Sequence, residues 1–174
     1  KARQRRTVGQ QPAPHDHDVD DAHTRIDQAE VGELEQADAG AAALDVEDIN
    51  MTDLVTRVVD MLAPLAAQRG SRLLVEAAGA CMAEADVRRV ERIIRNLVAN
   101  AIDHAEHGDV VVRVAANEDA TSVWVRDFGV GLSADSAERV FDRFWRADPA
   151  RARTSGGTGL GLSIALEDAL LHGG

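Results

Sequence analysis

Two long stretches of the chain carry apolar residues at helical spacing. The first closes at residues 68–70 and the second at His107 and Gly108, so the spacing predicts helices over about 49–68 and 86–106. The apolar stripe of the first comprises Leu54, Val55, Val58, Val59, Leu62 and Leu65, and that of the second comprises Val90, Ile93, Ile94, Leu97, Val98, Ala101 and Ile102. This amphipathic pattern is typical of helices that pack on a core.

Shorter β-branched runs predict strands. Residues 110–115 and 122–126 are separated by the turn-forming residues 117–119, a pattern typical of a β-hairpin. Residues 72–77 predict another strand, and residues 80–84 predict a short strand beside it.

Two more helices are predicted towards the end of the chain. A short one covers about residues 134–144, and after a polar loop to Thr158 a last one covers about 160–171. Helices therefore interleave with hairpin-linked strands, without the strict alternation of a doubly wound sheet. The order favours an α/β fold, specifically an α+β two-layer sandwich in which a mixed sheet has its helices on one face.

Composition and charge narrow the classes of function. The chain has 174 residues and a formal net charge of −11, which would repel phosphates and argues against nucleic-acid binding. Cys81 is the only cysteine, which excludes an intramolecular disulfide and a multi-cysteine zinc site. No run approaches the roughly 20 apolar residues that span a bilayer. We therefore expect a cytoplasmic chain without a membrane span.

The second helix also carries a polar face. Asn96, Asn100, Asp103 and His107 fall at i, i+4, i+7 and i+11, on one side beside the apolar stripe. Asparagine is a poor helix former, so two asparagines in mid-helix need a reason. The face is either simply solvated or a row of oxygen donors for hydrated Mg²⁺ and a triphosphate, since magnesium prefers hard oxygen ligands and keeps several waters.

A second polar motif follows the hairpin. Asp127 stands directly after the predicted strand and is followed by Gly129 and Gly131. A carboxylate there can accept a hydrogen bond from an exocyclic amine, and the glycines let the backbone pass close to a flat ring. A plain strand-exit turn has the same composition.

Four glycines, at positions 156, 157, 159 and 161, open the last helix. Free backbone N–H groups at a helix N-terminus form an anion site, although a flexible linker is also rich in glycine. No Lys-Ser/Thr pair follows, which excludes a Walker A loop, and the GxGxG spacing disfavours a dinucleotide-binding fold.

Aromatic and basic residues precede these glycines. Phe141 and Phe144 suit a helix that caps the core. Arg146, Arg151 and Arg153 could reach phosphates or could only keep the loop solvated.

The order of these motifs resembles the N, G1, F and G2 boxes of sensor histidine kinase catalytic domains. The resemblance covers residues 49–174 and is close to actinobacterial two-component sensor kinases at residues 95–107, 141–163 and 167–174. It implies the Bergerat (GHKL) ATP-binding fold.

The resemblance also implies a role for each motif. Asn100 would be the principal Mg²⁺ ligand, and Asn96 would assist it or contact phosphate, so these two are the expected catalytic residues. Asp127 would bond the adenine amino group, with Gly129 and Gly131 shaping the adenine pocket.

The remaining expected ATP-binding residues lie along the same boxes. They are Asp103, His104, Leu132, Phe144, Arg146, Gly157, Thr158, Gly159, Leu160, Gly161 and Leu162. Gly157, Gly159 and Gly161 would hinge a lid over the phosphates. Many histidine kinases carry Lys or Arg and then Tyr where this chain has Asp103 and His104, so the roles of those two are open.

Asn96 bears on the type of reaction. Gyrase- and Hsp90-like ATPases and the anti-sigma serine kinases resemble this helix but place a glutamate base there, whereas an amide cannot abstract a proton. The resemblance therefore implies transfer of the γ-phosphoryl group of ATP to a histidine on a dimerisation and phosphoacceptor domain, and onward to a response-regulator receiver domain. The alternatives are another GHKL-type ATPase and a non-catalytic nucleotide-binding remnant.

The resemblance stops short at both ends of the chain. Residues 1–37 have few large apolar residues and no sustained period, so we expect them to be disordered or atypical. His15, His17 and His23 lack the motif that surrounds a phosphoacceptor histidine, so no acceptor is recognisable. Residues 38–49 resemble the end of the dimerisation hairpin with its linker, and residues 50–174 the ATP-binding domain. Family members continue into a closing β-hairpin, so we expect a C-terminally truncated domain whose final strands are missing.

Overall fold

The computed structural model describes residues 43–146 and 158–174. Expectations for residues 1–42, and those for Gly157, Arg151 and Arg153, lie outside this part of the chain. The elements in chain order are β1 (Glu47–Asn50), α1 (Met51–Gln68), β2 (Leu73–Ala77), β3 (Met82–Ala85), α2 (Val87–His104), β4 (Val110–Ala116), β5 (Thr121–Arg126), α3 (Ala134–Arg139) and α4 (Gly161–Leu171). No helix in these two ranges is both long and apolar enough to cross a membrane.

The main sheet is mixed, as predicted. β2 runs parallel to β4, and β4 pairs antiparallel with β5, so the strand order is β2-β4-β5. The predicted hairpin is confirmed, and its turn is closed by the Asn117 side chain. Asn117 Oδ1 accepts from the backbone N–H groups of Asp119 and Ala120 at 3.0 and 2.8 Å, a local bond that favours a turn.

The short strand β3 has a different partner from the predicted one. It pairs antiparallel with β1, from Glu47 opposite Ala85 to Asn50 opposite Met82, and not with the strand at 73–77. β1 was not predicted from the sequence. The pairing is set by tertiary contacts, because the Met51 N–H donates to the Cys81 carbonyl at 2.8 Å and holds β3 against the start of α1.

The core lies between the sheet and the helices on one of its faces. On β4 the alternate residues Val110, Val112 and Val114 are buried, whereas Arg113 points outward. The predicted stripes of both long helices supply the other half of the core: Leu54, Val55, Val58, Val59 and Leu62 from α1, and Val90, Ile94, Val98, Ala101 and Ile102 from α2. The two-layer arrangement is confirmed.

Two helices end earlier than predicted, for identifiable reasons. α2 stops at His104 because Glu106 and His107 have positive φ values of 48° and 68°, which no helical residue adopts. α3 stops at Arg139 and does not continue to residue 144. Phe144 has a φ of 65°, and its N–H donates to the Gly159 carbonyl at 3.0 Å instead of to a helical neighbour.

Candidate functional site

The two asparagines of α2 lie next to the start of α4. Asn96 is only 6% exposed, and its Nδ2 donates to the carbonyl oxygen of Gly161 at 3.0 Å. Asn100 lies one helical turn further along the same face and is half-buried. The bond to Gly161 uses the amide nitrogen, so the side-chain oxygen of Asn96 keeps its capacity to accept or to ligate. The structure therefore brings together the N-box and G2-box residues that the sequence predicted for one site.

Of the other two residues of the predicted polar face, only Asp103 lies on α2, because the helix ends at His104, before His107. Both residues are bonded to Arg69 at the end of α1. Asp103 Oδ1 lies 3.4 Å from Nη2 of Arg69, and both side chains are about one third exposed. The ring of His107 donates from Nδ1 to the carbonyl oxygen of Arg69 at 2.7 Å. Asp103, predicted for ATP binding, is thus placed in an ion pair between the two long helices.

Asp127 and Gly129 form a tight turn against the end of α2. The N–H of Gly129 donates to Oδ1 of Asp127 at 3.0 Å. A Cβ added to Gly129 would overlap the backbone carbonyl of His104, so only glycine allows this approach. Asp127 itself is half-buried. The main chain of His104 therefore packs against this turn.

Beyond this turn the chain presents exposed apolar side chains. Gly131 has a φ of 69°, and Phe128, Val130 and Leu132 are all exposed. The guanidinium of Arg126 lies 4.8 Å from the centre of the Phe128 ring, within the range of a cation–π contact. Exposed apolar side chains beside a half-buried carboxylate suit a flat heteroaromatic ring that carries an amine.

Backbone contacts join the F box to the G2 box. Besides the bond from Phe144 to Gly159, a Cβ on Gly159 would lie 3.1 Å from the backbone of Phe144 and 3.2 Å from the carbonyl oxygen of Trp145. Gly159 also has a φ of 75°, which side-chain-bearing residues rarely adopt. The Phe144 and Phe141 side chains are 68% and 45% exposed, so neither caps the core as predicted.

The G2 residues end at the N-terminus of α4. Leu160 is buried and anchors the segment, while Thr158, Gly161 and Leu162 are half-buried, as is Arg146. The N-cap residue Leu160 makes no side-chain hydrogen bond to the first turn of α4. The leading N–H groups of a helix can bind an anion, and Gly159 and Gly161, which the sequence predicted to lie over the phosphates, are at this end of α4.

Comparison with known proteins settles the family. A family model described as histidine kinase-, DNA gyrase B- and HSP90-like ATPase matches residues 85–174, just over half of the chain. The chain belongs to this ATPase family. The matched segment contains α2, the β4–β5 hairpin and α4, the elements that carry the site.

Sensor histidine kinases are among the relatives of this ATPase-family chain. The sensor histidine kinase MtrB of Mycolicibacterium paratuberculosis is 54% identical over 143 residues, which are 82% of this chain and 25% of MtrB. This chain therefore spans about a quarter of the length of that relative. It carries an ATP-binding catalytic domain of the histidine kinase type, as the sequence motifs predicted.

Solved histidine kinases share the fold. Full-length ShkA in complex with AMPPNP has a TM-score of 0.73 with 24% identity, covering 88% of this chain and 32% of ShkA. ThkA in complex with the response regulator TrrA has a TM-score of 0.66 with 20% identity, covering 84% of this chain and 40% of ThkA. These likenesses confirm the predicted Bergerat fold.

Within this histidine kinase-type domain, sequence reasoning missed a buried ion-pair cluster between α2 and α4. Asp168 is 1% exposed and pairs with Arg89 and Arg92. The available signal was an aspartate within the largely apolar helix at 161–171, together with two arginines one turn apart on α2.

The N-cap of α2 is a second buried carboxylate in this domain. Burial raises the pKa of Asp86, but its bonds from the backbone N–H groups of Asp45, Arg89 and Arg88 outweigh that effect and bring the pKa below its usual value. Asp86 therefore stays ionised and ties the chain that enters at Asp45 to the start of α2.

Proposed function

We propose that this domain binds ATP with Mg²⁺ and transfers the γ-phosphoryl group to a histidine on a dimerisation and phosphoacceptor domain. The single observation that carries the proposal is the bond from Asn96 to Gly161, which joins the expected metal-binding face of α2 to the expected phosphate-binding glycines. Phosphoryl transfer depends mainly on positioning and on charge stabilisation; we assign the positioning to this arrangement and the charge stabilisation to bound Mg²⁺.

Adenine recognition rests on Asp127. Its Oδ1 accepts from Gly129, so Oδ2 is the oxygen that we assign to the exocyclic amine. Gly129 and Gly131 have no side chains, so the backbone can lie close to the adenine ring. Leu132 supplies an exposed apolar surface against which the face of the ring can pack.

We assign Mg²⁺ binding to the two asparagines of α2 and phosphate binding to the glycines before and at the start of α4. In residues 43–146 and 158–174 there is no group of three or more His, Cys, Asp or Glu side chains that could cage a metal ion. Mg²⁺ does not require one, because it keeps several waters and binds through one or two protein oxygens together with substrate phosphates. Asn100, assisted by Asn96, fits that role. The bound ion would neutralise charge on the triphosphate.

Asn96 favours phosphotransfer over hydrolysis. A carboxamide has no basic site at neutral pH, and its nitrogen already donates to Gly161, so it cannot activate water. An imidazole acceptor is itself a good nucleophile. We therefore expect slow ATP hydrolysis by the isolated chain, and turnover comparable to that of gyrase-like enzymes would contradict the proposal.

The partners follow from the reaction. Its relatives named sensor histidine kinases are about four times longer than the matched segment, so we place the acceptor histidine outside the described domain. The complex of ThkA with TrrA supports a response-regulator receiver domain as the next partner in the relay. ATP and receiver domains are intracellular, which places the proposed reaction in the cytoplasm.

The first experiment measures equilibrium binding of a fluorescent ATP analogue, with and without Mg²⁺, to the wild type and to Asp127→Asn. An asparagine still accepts from Gly129 through its oxygen, but it turns an NH₂ group towards the adenine amine. We expect Mg²⁺-dependent binding by the wild type and an affinity loss of about tenfold or more in Asp127→Asn, the cost of an unpaired polar group. Asp119→Asn, in the exposed hairpin turn, is the matched control and should bind like the wild type.

A second experiment separates the kinase from the alternatives. The domain is mixed with a separately produced dimerisation and phosphoacceptor domain and ATP labelled at the γ-phosphate. Labelled histidine supports the kinase. Binding of nucleotide without any transfer would instead indicate a nucleotide-binding protein without turnover, and rapid release of phosphate would indicate a GHKL-type ATPase.

A further inference from the structure

Asp168 on α4 is held by two arginines of α2. Its Oδ1 lies 2.9 Å from Nη1 of Arg89 and 2.8 Å from Nη2 of Arg92, and its Oδ2 lies 2.7 Å from Nε of Arg92. The carboxylate is 2% exposed and the two arginine side chains 19% and 16%. Arg92 therefore forms a bidentate ion pair with the carboxylate, which is a strong and directional form of ion pair.

This cluster lies two helical turns from the bond between Asn96 and Gly161. Asp168 follows Gly161 by seven residues, and Arg89 precedes Asn96 by seven, a separation of about 10 Å along each helix. The two contacts pair the helices in antiparallel order. Together they define the axial position of α4 on α2.

The apolar contacts between these helices cannot define that position alone. Ile164 and Ala165 of α4 are buried, but hydrophobic burial is non-directional and tolerates small shifts along the axis. A bidentate ion pair does not tolerate such a shift, because the shift would separate the donor nitrogens from the carboxylate oxygens. Since the carboxylate is sealed from water, solvent cannot replace the lost bonds.

The end of α4 adds to the same attachment. The ring of His172 donates from Nδ1 to the carbonyl oxygen of Asp168 at 2.7 Å and accepts at Nε2 from the N–H of Asp86 at 3.1 Å. α4 is thus bonded to α2 near its beginning, near its middle and at its end.

We propose that Asp168 is a positioning residue for nucleotide binding. Through Arg89 and Arg92 it sets the register of α4 on α2, and thereby places Gly159 and Gly161 opposite Asn96 and Asn100. The proposal rests on the proposed function for its effect on nucleotide, but its structural part stands independently.

The test compares Asp168→Asn with two controls. Glu76→Gln removes an exposed arginine–carboxylate pair on the sheet, in which Nε and Nη2 of Arg113 both donate to Oε2 of Glu76, at 2.9 and 2.7 Å. Leu62→Ala lowers stability by removing packing from the core cluster, to which no residue of α4 belongs. Arg92→Gln removes the two bonds from Arg92 to Asp168 and keeps the bond from Arg89. It is the second variant to use if Asp168→Asn does not fold.

The first readout needs no nucleotide. Amide hydrogen exchange is followed in peptides that cover residues 159–165 and Phe144, whose N–H bonds to the Gly159 carbonyl. Asp168→Asn should speed exchange there by about 2- to 30-fold at a temperature where the protein is folded. In both controls, the exchange rates of these peptides relative to the rest of the domain should equal those of the wild type.

The second readout is the dissociation constant of the fluorescent ATP analogue with Mg²⁺. Asp168→Asn should raise it by about 2- to 30-fold, while Glu76→Gln and folded Leu62→Ala bind like the wild type. Exchange at 159–165 that matches Glu76→Gln, or that rises equally in Leu62→Ala, overturns the positioning role. A wild type that binds no nucleotide overturns the proposed function instead, and the exchange result then still decides the role of Asp168.

Discussion

Replacing Gly129 by alanine tests the approach of the G1 turn to α2. A Cβ at this position would overlap the carbonyl oxygen of His104, the last residue of α2. A flexible side chain could move away, but a backbone carbonyl at a helix end cannot move alone. Either the end of α2 unwinds, or the turn held by the bond between Gly129 and Asp127 opens.

The same substitution at two other glycines gives reference values for the change in stability. A Cβ on Gly79 has nothing within 4 Å and the residue has no positive φ, so Gly79→Ala should be neutral or stabilising by about 0.4–1 kcal/mol through a smaller unfolded-state entropy. A Cβ on Gly131 also meets nothing within 4 Å, but its φ of 69° should cost about 1–2 kcal/mol. Gly129→Ala adds overpacking of about 1–3 kcal/mol to the loss of a hydrogen bond of about 0.5–1.5 kcal/mol, so we expect about 2–4 kcal/mol.

The assay is urea unfolding of the three variants at 25 °C, followed by tryptophan fluorescence from Trp124 and Trp145. Stability should fall in the order Gly79→Ala, Gly131→Ala, Gly129→Ala, with unchanged denaturant slopes. If Gly129→Ala proved as stable as Gly79→Ala, the close approach to His104 would be wrong. Nucleotide affinity measured on the folded fraction should fall in Gly129→Ala, because the turn also shapes the proposed adenine pocket.

Two further predictions concern the acid stability and the core of the domain. The lowered pKa of Asp86 means that its contribution to the free energy of unfolding is present above about pH 4, the range of the unfolded carboxyl group, and is lost as the pH falls through the folded pKa. Asp86→Asn should therefore be less stable than the wild type at pH 7 and approach it in a pH series below about pH 4; a constant difference would contradict this role. Ile94→Ala, at 1% exposure, should lose about 2–5 kcal/mol in urea unfolding. Met61 is exposed on α1, so Met61→Ala should change stability by less than about 0.5 kcal/mol. Similar losses of stability in Ile94→Ala and Met61→Ala would refute the assigned core.

Local patterns predicted most of the secondary structure. The stripes of α1 and α2 are spaced at the helical period, and each of these helices buries the side that its pattern indicated. The β4–β5 hairpin was predictable because its turn bond lies within four residues. The order of the four boxes was enough to identify the family, since each box uses residues close together in the chain.

Contacts between distant residues were not predictable in the same way. The pairing of β1 with β3 depends on where the start of α1 lies, and the end of α3 depends on a bond from Phe144 to Gly159. Phe144 was expected to cap the core. In the structure it has this bond and a positive φ, and its ring is exposed.

The sequence by itself determined the helices, the hairpin, the family and the residue types of the site, because helical period, turn chemistry and glycine placement are local properties. Only the tertiary structure decided which of those residues meet. It joined Asn96 to Gly161 across 65 positions and Asp168 to Arg89 across 79, and it assigned Asp103 to an ion pair with Arg69. Such pairings depend on the directions in which packed helices present their side chains, and those directions arise only when the apolar faces come together on the sheet.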